Sequence, residues 1–428
     1  MSQIRTGKTL SIPQLIGFSG LGFLVLVSYG LARPSVETAF NVSYGKEGLP
    51  WVWIAVAFAA VVTVMSYNRF AARVGLLKLF LWASGISMAL LVGLLLLHRS
   101  QAPGADFLLY VWKDVYIVVL VEIFWTYANA NFSPKSARWI YGLFLLVGSM
   151  GSVVGLKLSK HLSSSHSNEH VLLAILPCLV AVWLLALVLR AWLGDMDRES
   201  STNGDEPETS FWSGLKIIQN NQYLFLLVAL IATIQVVVNL IDYEFNAFLN
   251  NEYACSVCGN PVGDARTAAA SQIYEWVEYC SLGLQALTGI ILTTIGIGGT
   301  LLLVPIVLCL SVAAFAAVPI FATMAAAKVS SKCMDYSIFR AAKEILYIPL
   351  SYKEKTEGKA VVDILCYRVA KIGASMLLLA LGAISATSGV IWCVLGLIGI
   401  WIALTFKLVP MYKARSLSTE EGPDSSAP

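Results

Sequence analysis

Apolar runs close to the bilayer-crossing length of about 20 residues recur along nearly the whole chain. They fall at 12–32, 49–66, 76–97, 107–129, 138–157, 171–190, 222–247, 268–295, 300–324, 332–350, 359–383 and 387–408. A 57% hydrophobic, 13% charged composition and a mean hydropathy of +0.73 depart widely from soluble-domain usage. The expectation is an all-α polytopic membrane protein with twelve transmembrane helices. Polar residues and glycines interrupt the eighth to tenth runs and blur their edges.

The runs divide six and six around a polar tract, DMDRESSTNGDEPETSFWSG, at 195–214. Its acids, serines, glycines and proline suit an exposed linker with no apolar face to bury. The expected organisation is an N-terminal six-helix bundle over 1–190, a cytoplasmic linker over 191–220, a C-terminal six-helix bundle over 221–408, and a disordered cytoplasmic tail over 409–428. Basic residues set the direction. With both termini inside, the inward segments hold sixteen Lys or Arg and the outward segments and their borders eight. Arg33, Lys328 and Lys332 count among the outward ones. The N-terminal stretch lacks a convincing A-x-A cleavage site and reads as a retained first helix.

Several function classes fall away. A net charge of +3 with no basic–aromatic surface segment gives no basis for nucleic-acid binding. No nucleotide-binding P-loop or G-x-G-x-x-G fingerprint is present, which argues against a direct ATP-driven pump. No metal-ligand set, cofactor motif or nucleophile–base arrangement stands out, so the expectation is neither an enzyme nor a cofactor protein. His161, His166 and His170 sit in a polar stretch that suits solvent. Cys255 and Cys258 are too few for a zinc site; they form a local disulfide or remain two thiols. Gly151 and Gly155 make a small-xxx-small surface for close helix packing.

Charges inside the spans are the features left to explain, because an ionised side chain at mid-bilayer costs about 3 kcal/mol on insertion scales. The tenth run carries Arg340, Lys343 and Glu344, with Arg340, Glu344 and Tyr347 on one face. The eleventh carries Asp363, Arg368 and Lys371, with Asp363, Tyr367 and Lys371 spaced by four. The basic surplus points to a cavity that receives an anion; a structural ion-pair cluster is the rival. In the seventh run Gln235, Asn239, Asp242 and Asn246 share a face. They line a polar route or form a hydrogen-bonded seam. In the fourth, Tyr110, Asp114 and Glu122 form one broad polar side. Lys113 and Asp114, being adjacent, are not expected to face each other. Trp112 and Trp125 suit interfacial anchoring better than substrate contact.

The segments SYGLARPSVETAF, KEGLPWVW, FWTYANANFSPKSARWIYGLF, NLIDYEF and FRAAKEILYIPLSYKEKTEGKAVVDILCYRVAKIGAS resemble the non-mitochondrial ATP/ADP translocase family of bacteria and plastids, within the major facilitator superfamily. The resemblance runs across almost all of 12–408. It implies two six-helix bundles that work by alternating access, and nucleotides or other anionic metabolites as substrates, with proton or counter-substrate coupling. On matching positions, Lys371 resembles the family's late-helix phosphate-associated lysine. Asp242 in NLIDYEF occupies the place of a functional carboxylate, and Arg33 fits the arginine that ends the first span. The chain departs at ARPSVE, where family members read like LRDTKD, so Val36 falls where a lysine is expected.

The physical and family readings meet on a secondary transporter of nucleotides or related anionic phosphate metabolites. The expected substrate-binding residues are Arg33, Arg340, Lys343, Lys371 and Arg368. The expected gating or coupling residues are Asp114, Glu122, Asp242, Glu344 and Asp363. The expected setting is a monomer among membrane lipid in a bacterial inner membrane, both termini cytoplasmic. A transporter-like sensor or assembly protein, or a carrier of a non-nucleotide solute, are the alternatives.

Overall fold

The computed structural model describes residues 12–71, 74–131, 134–201, 211–253, 262–351, 354, 359–384 and 389–420. Among the described residues the regular structure is helical. The elements are α1 (Ile12–Tyr44), a 3-10 turn (Lys46–Gly48), α2 (Leu49–Ala71), α3 (Leu76–Arg99), α4 (Ala105–Asn131), α5 (Pro134–Ser165) and α6 (Asn168–Ser201). They continue with α7 (Phe211–Asn220), α8 (Gln222–Glu252), α9 (Val262–Ala317), α10 (Phe321–Met334), a π segment (Asp335–Phe339), α11 (Arg340–Leu346), α12 (Lys359–Ala383) and α13 (Val390–Glu420).

Among the described residues twelve long helical stretches emerge from two features, and eight helices, with α9 counted as one, are long and apolar enough to cross a membrane. α9 is two helices joined at Gly296, whose φ of 68° is left-handed backbone that glycine adopts without strain. α10, the π segment and α11 form one continuous stretch. The short α7 precedes α8, where Asn221 caps the helix by accepting from the backbone N–H groups of Tyr223 and Leu224 at 3.1 and 3.3 Å. Exposed faces are rich in large apolar side chains such as Phe58, Leu90, Leu184, Ile290 and Trp392, as a lipid-facing surface requires.

Several boundaries differ from the sequence expectation: α5 and α6 run on to Ser165 and Ser201, and α7 is a helix within the stretch expected as a linker. α1 does not stop at Arg33 but continues through Pro34 to Tyr44, because Arg33 finds an acid one turn further along its own helix. The ninth helix ends at Ala317, before Pro319, whose ring disfavours helical backbone at the preceding residue. A new helix begins at Phe321, so Lys328 and Lys332 lie inside α10 rather than in an outward loop. At the C-terminus α13 runs to Glu420, and the expected tail begins within it. Of the linker, 202–210 lie outside the described residues, as do Cys255, Cys258 and 421–428.

The chain forms two compact units. The first comprises 1–48, 55–205 and 249–278, and the second 49–54, 206–248 and 279–428. In the first, α1 is central and packs on α4, α5 and α6. Its contact with α5 is close because glycine meets glycine: a Cβ on Gly30 would lie 2.6 Å from the carbonyl oxygen of Ser152 and 3.0 Å from the Cα of Gly155. Phe18 of α1 stacks on Phe124 of α4 with centroids 4.4 Å apart.

Candidate functional site

Each unit buries its own charged cluster. In the first unit the centre is Glu37, on α1 and only 7% exposed. Its Oε1 lies 3.0 Å from Nζ of Lys113 on α4 and 3.6 Å from Nε of Arg33, one helical turn away. Its Oε2 accepts a 2.5 Å hydrogen bond from the hydroxyl of Tyr274, near the start of α9. The Arg33 guanidinium lies 3.8 Å from the centroid of the Tyr274 ring, and Lys113 lies 4.0 Å from that of Tyr110. Lys113 also reaches Asp114 at 3.1 Å. Adjacent residues do leave a helix in different directions, but a lysine stem is long enough to fold back.

Beside this network, buried Arg266 on α9 donates from Nε to Oδ1 of Asn250 at 2.9 Å and from Nη1 to Thr38 at 3.0 Å. Asn250 in turn donates to Asn41 at 3.1 Å. Arg33 and Lys113 face Glu37 and Asp114, and Arg266 adds a further buried cation in the field of Glu37. Trp112, expected at an interface, is instead buried: its indole N–H donates to Ser87, and its ring stacks on Tyr116 at 4.4 Å. Glu122 is exposed further along α4.

The second unit has a basic surplus. Among residues whose side chains are described, α8 up to Phe248 and α10–α12 carry Lys328, Lys332, Arg340, Lys343, Arg368 and Lys371 against Asp242, Glu244, Asp335 and Glu344. The α8 stripe does face one way. Gln235 donates to Asp335 at 3.1 Å. Asp242 pairs through Oδ1 with Lys328 and through Oδ2 with Lys332, the latter at 2.8 Å. Asn239 and Asn246 donate back to their own helix, to the carbonyls of Gln235 and Asp242.

Asp335 opens the π segment, a wider turn that recurs at functional positions. Beyond it, Lys343 is buried, with its ammonium 5.4 Å from the Tyr367 ring centroid. Arg340 and Glu344 are exposed, so they do not share a buried face with Tyr347. Lys371 on α12 lies 5.8 Å from the ring centroid of Trp53. Arg368 is half-buried, and Asp363 lies outside the residues whose side chains are described.

Sequence reading therefore singled out Arg33, Asp114, Asp242, Lys343 and Lys371 but missed their partners Glu37, Lys328, Lys332 and Asp335. The signal was present. Arg33 and Glu37 are four apart, and so are Lys328 and Lys332, each pair one turn along a helix face.

Twelve helical stretches among the described residues, with charged groups buried inside each unit, define a multi-pass membrane protein with a major-facilitator-like fold. Solved structures agree on the fold. A nucleoside transporter, NupG, superposes with a TM-score of 0.65 at 13% identity, over 94% of this chain and 100% of that one. A bacterial homologue of the iron transporter ferroportin, inward-facing, gives 0.68 at 11% identity over 94% and 99%.

The TLC ATP/ADP transporter model matches residues 107–331 and 323–412, well over half of the chain, which belongs to that family. It is a transporter and not an enzyme. ADP,ATP carrier protein 1 of Chlamydia pneumoniae is 23% identical over 386 residues, 79% of this chain and 73% of that protein. The chloroplastic ADP,ATP carrier protein 1 of Arabidopsis thaliana is 22% identical over 351 residues, 73% of this chain and 55% of that one. The chain thus spans between about half and three quarters of these relatives' length.

Proposed function

We propose that this chain is a secondary transporter that exchanges or imports nucleotides, or a closely related anionic phosphate metabolite, by alternating access. The observation that carries this reading is the basic surplus of the second unit, held on helices of a chain whose family is the ATP/ADP transporters. Lysine supplies a mobile point charge to phosphate and arginine a fixed donor fork. Lys371, Lys343, Arg340 and Arg368 receive the phosphates in this reading, and Arg33 is a substrate-binding candidate of the first unit. Asp114, Glu122, Asp242, Glu344 and Asp363 serve gating or coupling to a proton or counter-substrate.

The proposed organisation is two six-helix halves, 1–190 and 221–408, joined by a cytoplasmic linker over 191–220. The carrier works as a monomer in a bacterial inner membrane, with both termini cytoplasmic. The excess of Lys and Arg in the inward segments supports that direction.

A binding panel on purified protein tests the substrate class. ATP and ADP raise the melting temperature, pyrophosphate competes with them, and adenosine does not. Stabilisation by adenosine alone, with no effect of the phosphate-bearing compounds, contradicts the reading.

A further inference from the structure

Among the described residues of the second unit the most deeply buried cation is Lys328, 1% exposed, and it sits where the sequence reading expected a loop. One turn along α10, Lys332 is also buried. Both ammonium groups converge on one carboxylate, Asp242, each taking a different oxygen. The Phe245 ring lies under Lys328, its centroid 4.7 Å from Nζ. The two buried cations share this one bridging carboxylate, with buried Asp335 a second carboxylate in the electrostatic field of Lys332, and each ammonium has three donors.

We propose that Lys328 and Lys332 are a further phosphate-receiving pair of this carrier, beside the cations of α11 and α12, and that Asp242 is their resident stand-in: a carboxylate that holds both lysines until the phosphate of a nucleotide displaces it. The proposal rests on the nucleotide reading and specifies a further place in the second unit where phosphate binds. Its physical basis is competition for the same donors. A buried lysine stripped of its partner is an uncompensated charge, so the empty carrier needs Asp242. A terminal phosphate brings more charge and three acceptor oxygens to the same two ammonium groups, and charge-assisted bonds of this kind are the strong ones. Asp335 accepts from Gln235 and also interacts electrostatically with Lys332, whereas Asp242 is the carboxylate that bridges the pair.

This role differs from gating in the sign of one substitution. If Asp242 competes with phosphate, Asp242→Asn tightens the binding of anions, whereas a purely structural acid weakens it when removed. Calorimetry on purified full-length Asp242→Asn, Lys328→Gln, Lys332→Gln and the double variant Asp242→Asn/Lys328→Gln, titrated with ATP and with pyrophosphate, decides the matter. The expected result is a Kd about tenfold lower for Asp242→Asn and about tenfold higher for each lysine variant, as loss of a charge-assisted bond implies. The double variant falls between.

Should Asp242→Asn fail to fold, the lysine variants and the double variant carry the test. ATP binding by the wild type that is unaffected in both lysine variants, or weakened in Asp242→Asn, overturns the site while leaving the nucleotide reading intact. Pyrophosphate binding that follows the expected series without any ATP binding supports the phosphate site and removes the nucleotide. Binding of neither compound overturns both.

Discussion

Glu37 holds Lys113 at 3.0 Å across the α1–α4 contact, and both side chains are buried. The pair explains how the first unit keeps a lysine, 1% exposed, inside a membrane helix. Glu37→Gln leaves that ammonium with the Asp114 carboxylate and the face of Tyr110. Breaking a buried pair from one side costs about 3 kcal/mol, so the melting temperature falls sharply in detergent. Replacing both partners, as Glu37→Gln with Lys113→Met, recovers part of the loss. A melting curve for Glu37→Gln that overlays the wild type sinks this account of the network.

The α1–α5 seam makes a second prediction. Gly30→Ala drives a methyl group against the backbone of Ser152 and Gly155, and overpacking of this kind costs about 1–3 kcal/mol. Gly142→Ala on the same α5 meets nothing within 4 Å and serves as the control. Differential scanning fluorimetry should separate the two. Equal melting temperatures for both variants contradict the close approach.

Arg266 carries a third. Its guanidinium fork reaches Asn250 and Thr38 in different directions, which a single lysine ammonium does not reproduce. Arg266→Lys therefore lowers thermal stability almost as much as Arg266→Gln, while Thr38→Val, which removes one acceptor, costs about 1 kcal/mol. Full retention of stability by Arg266→Lys shows that charge alone matters there.

Lys371, proposed as a phosphate contact, gives a transport prediction. Lys371→Ala raises the substrate concentration for half-maximal transport about tenfold, the loss expected of one charge-assisted bond, with little change in the yield of folded protein. Unchanged affinity and flux retire its role, and leave the Lys328–Lys332 pair to be judged by its own measurement.

How much of this was legible beforehand follows from periodicity. Runs of bilayer length, the glycine break at Gly296 and the α8 stripe from Gln235 to Asn246 all write themselves into the sequence at fixed spacing. The partners did not, because a salt bridge between helices joins residues such as Asp242 and Lys328 that are 86 positions apart, and no local pattern encodes that meeting. Lys328 and Lys332 were further hidden by the polar residues around them, Ser330 and Ser331, which made a buried helix face read as a loop. Val36 shows the converse. It is fully buried where the family resemblance led to the expectation of a lysine, while Lys113, on another helix, places an ammonium against the neighbouring Glu37.

Counterflow in sealed liposomes tests the central claim most directly. Vesicles carrying the purified protein and loaded with unlabelled ADP are diluted into labelled ATP, beside vesicles without protein and vesicles loaded with adenosine. The account predicts label accumulating only where protein and internal phosphate-bearing nucleotide are both present, and inhibition by external ADP or pyrophosphate. Folded, correctly inserted protein that moves no ATP, ADP or other nucleotide in either direction contradicts it.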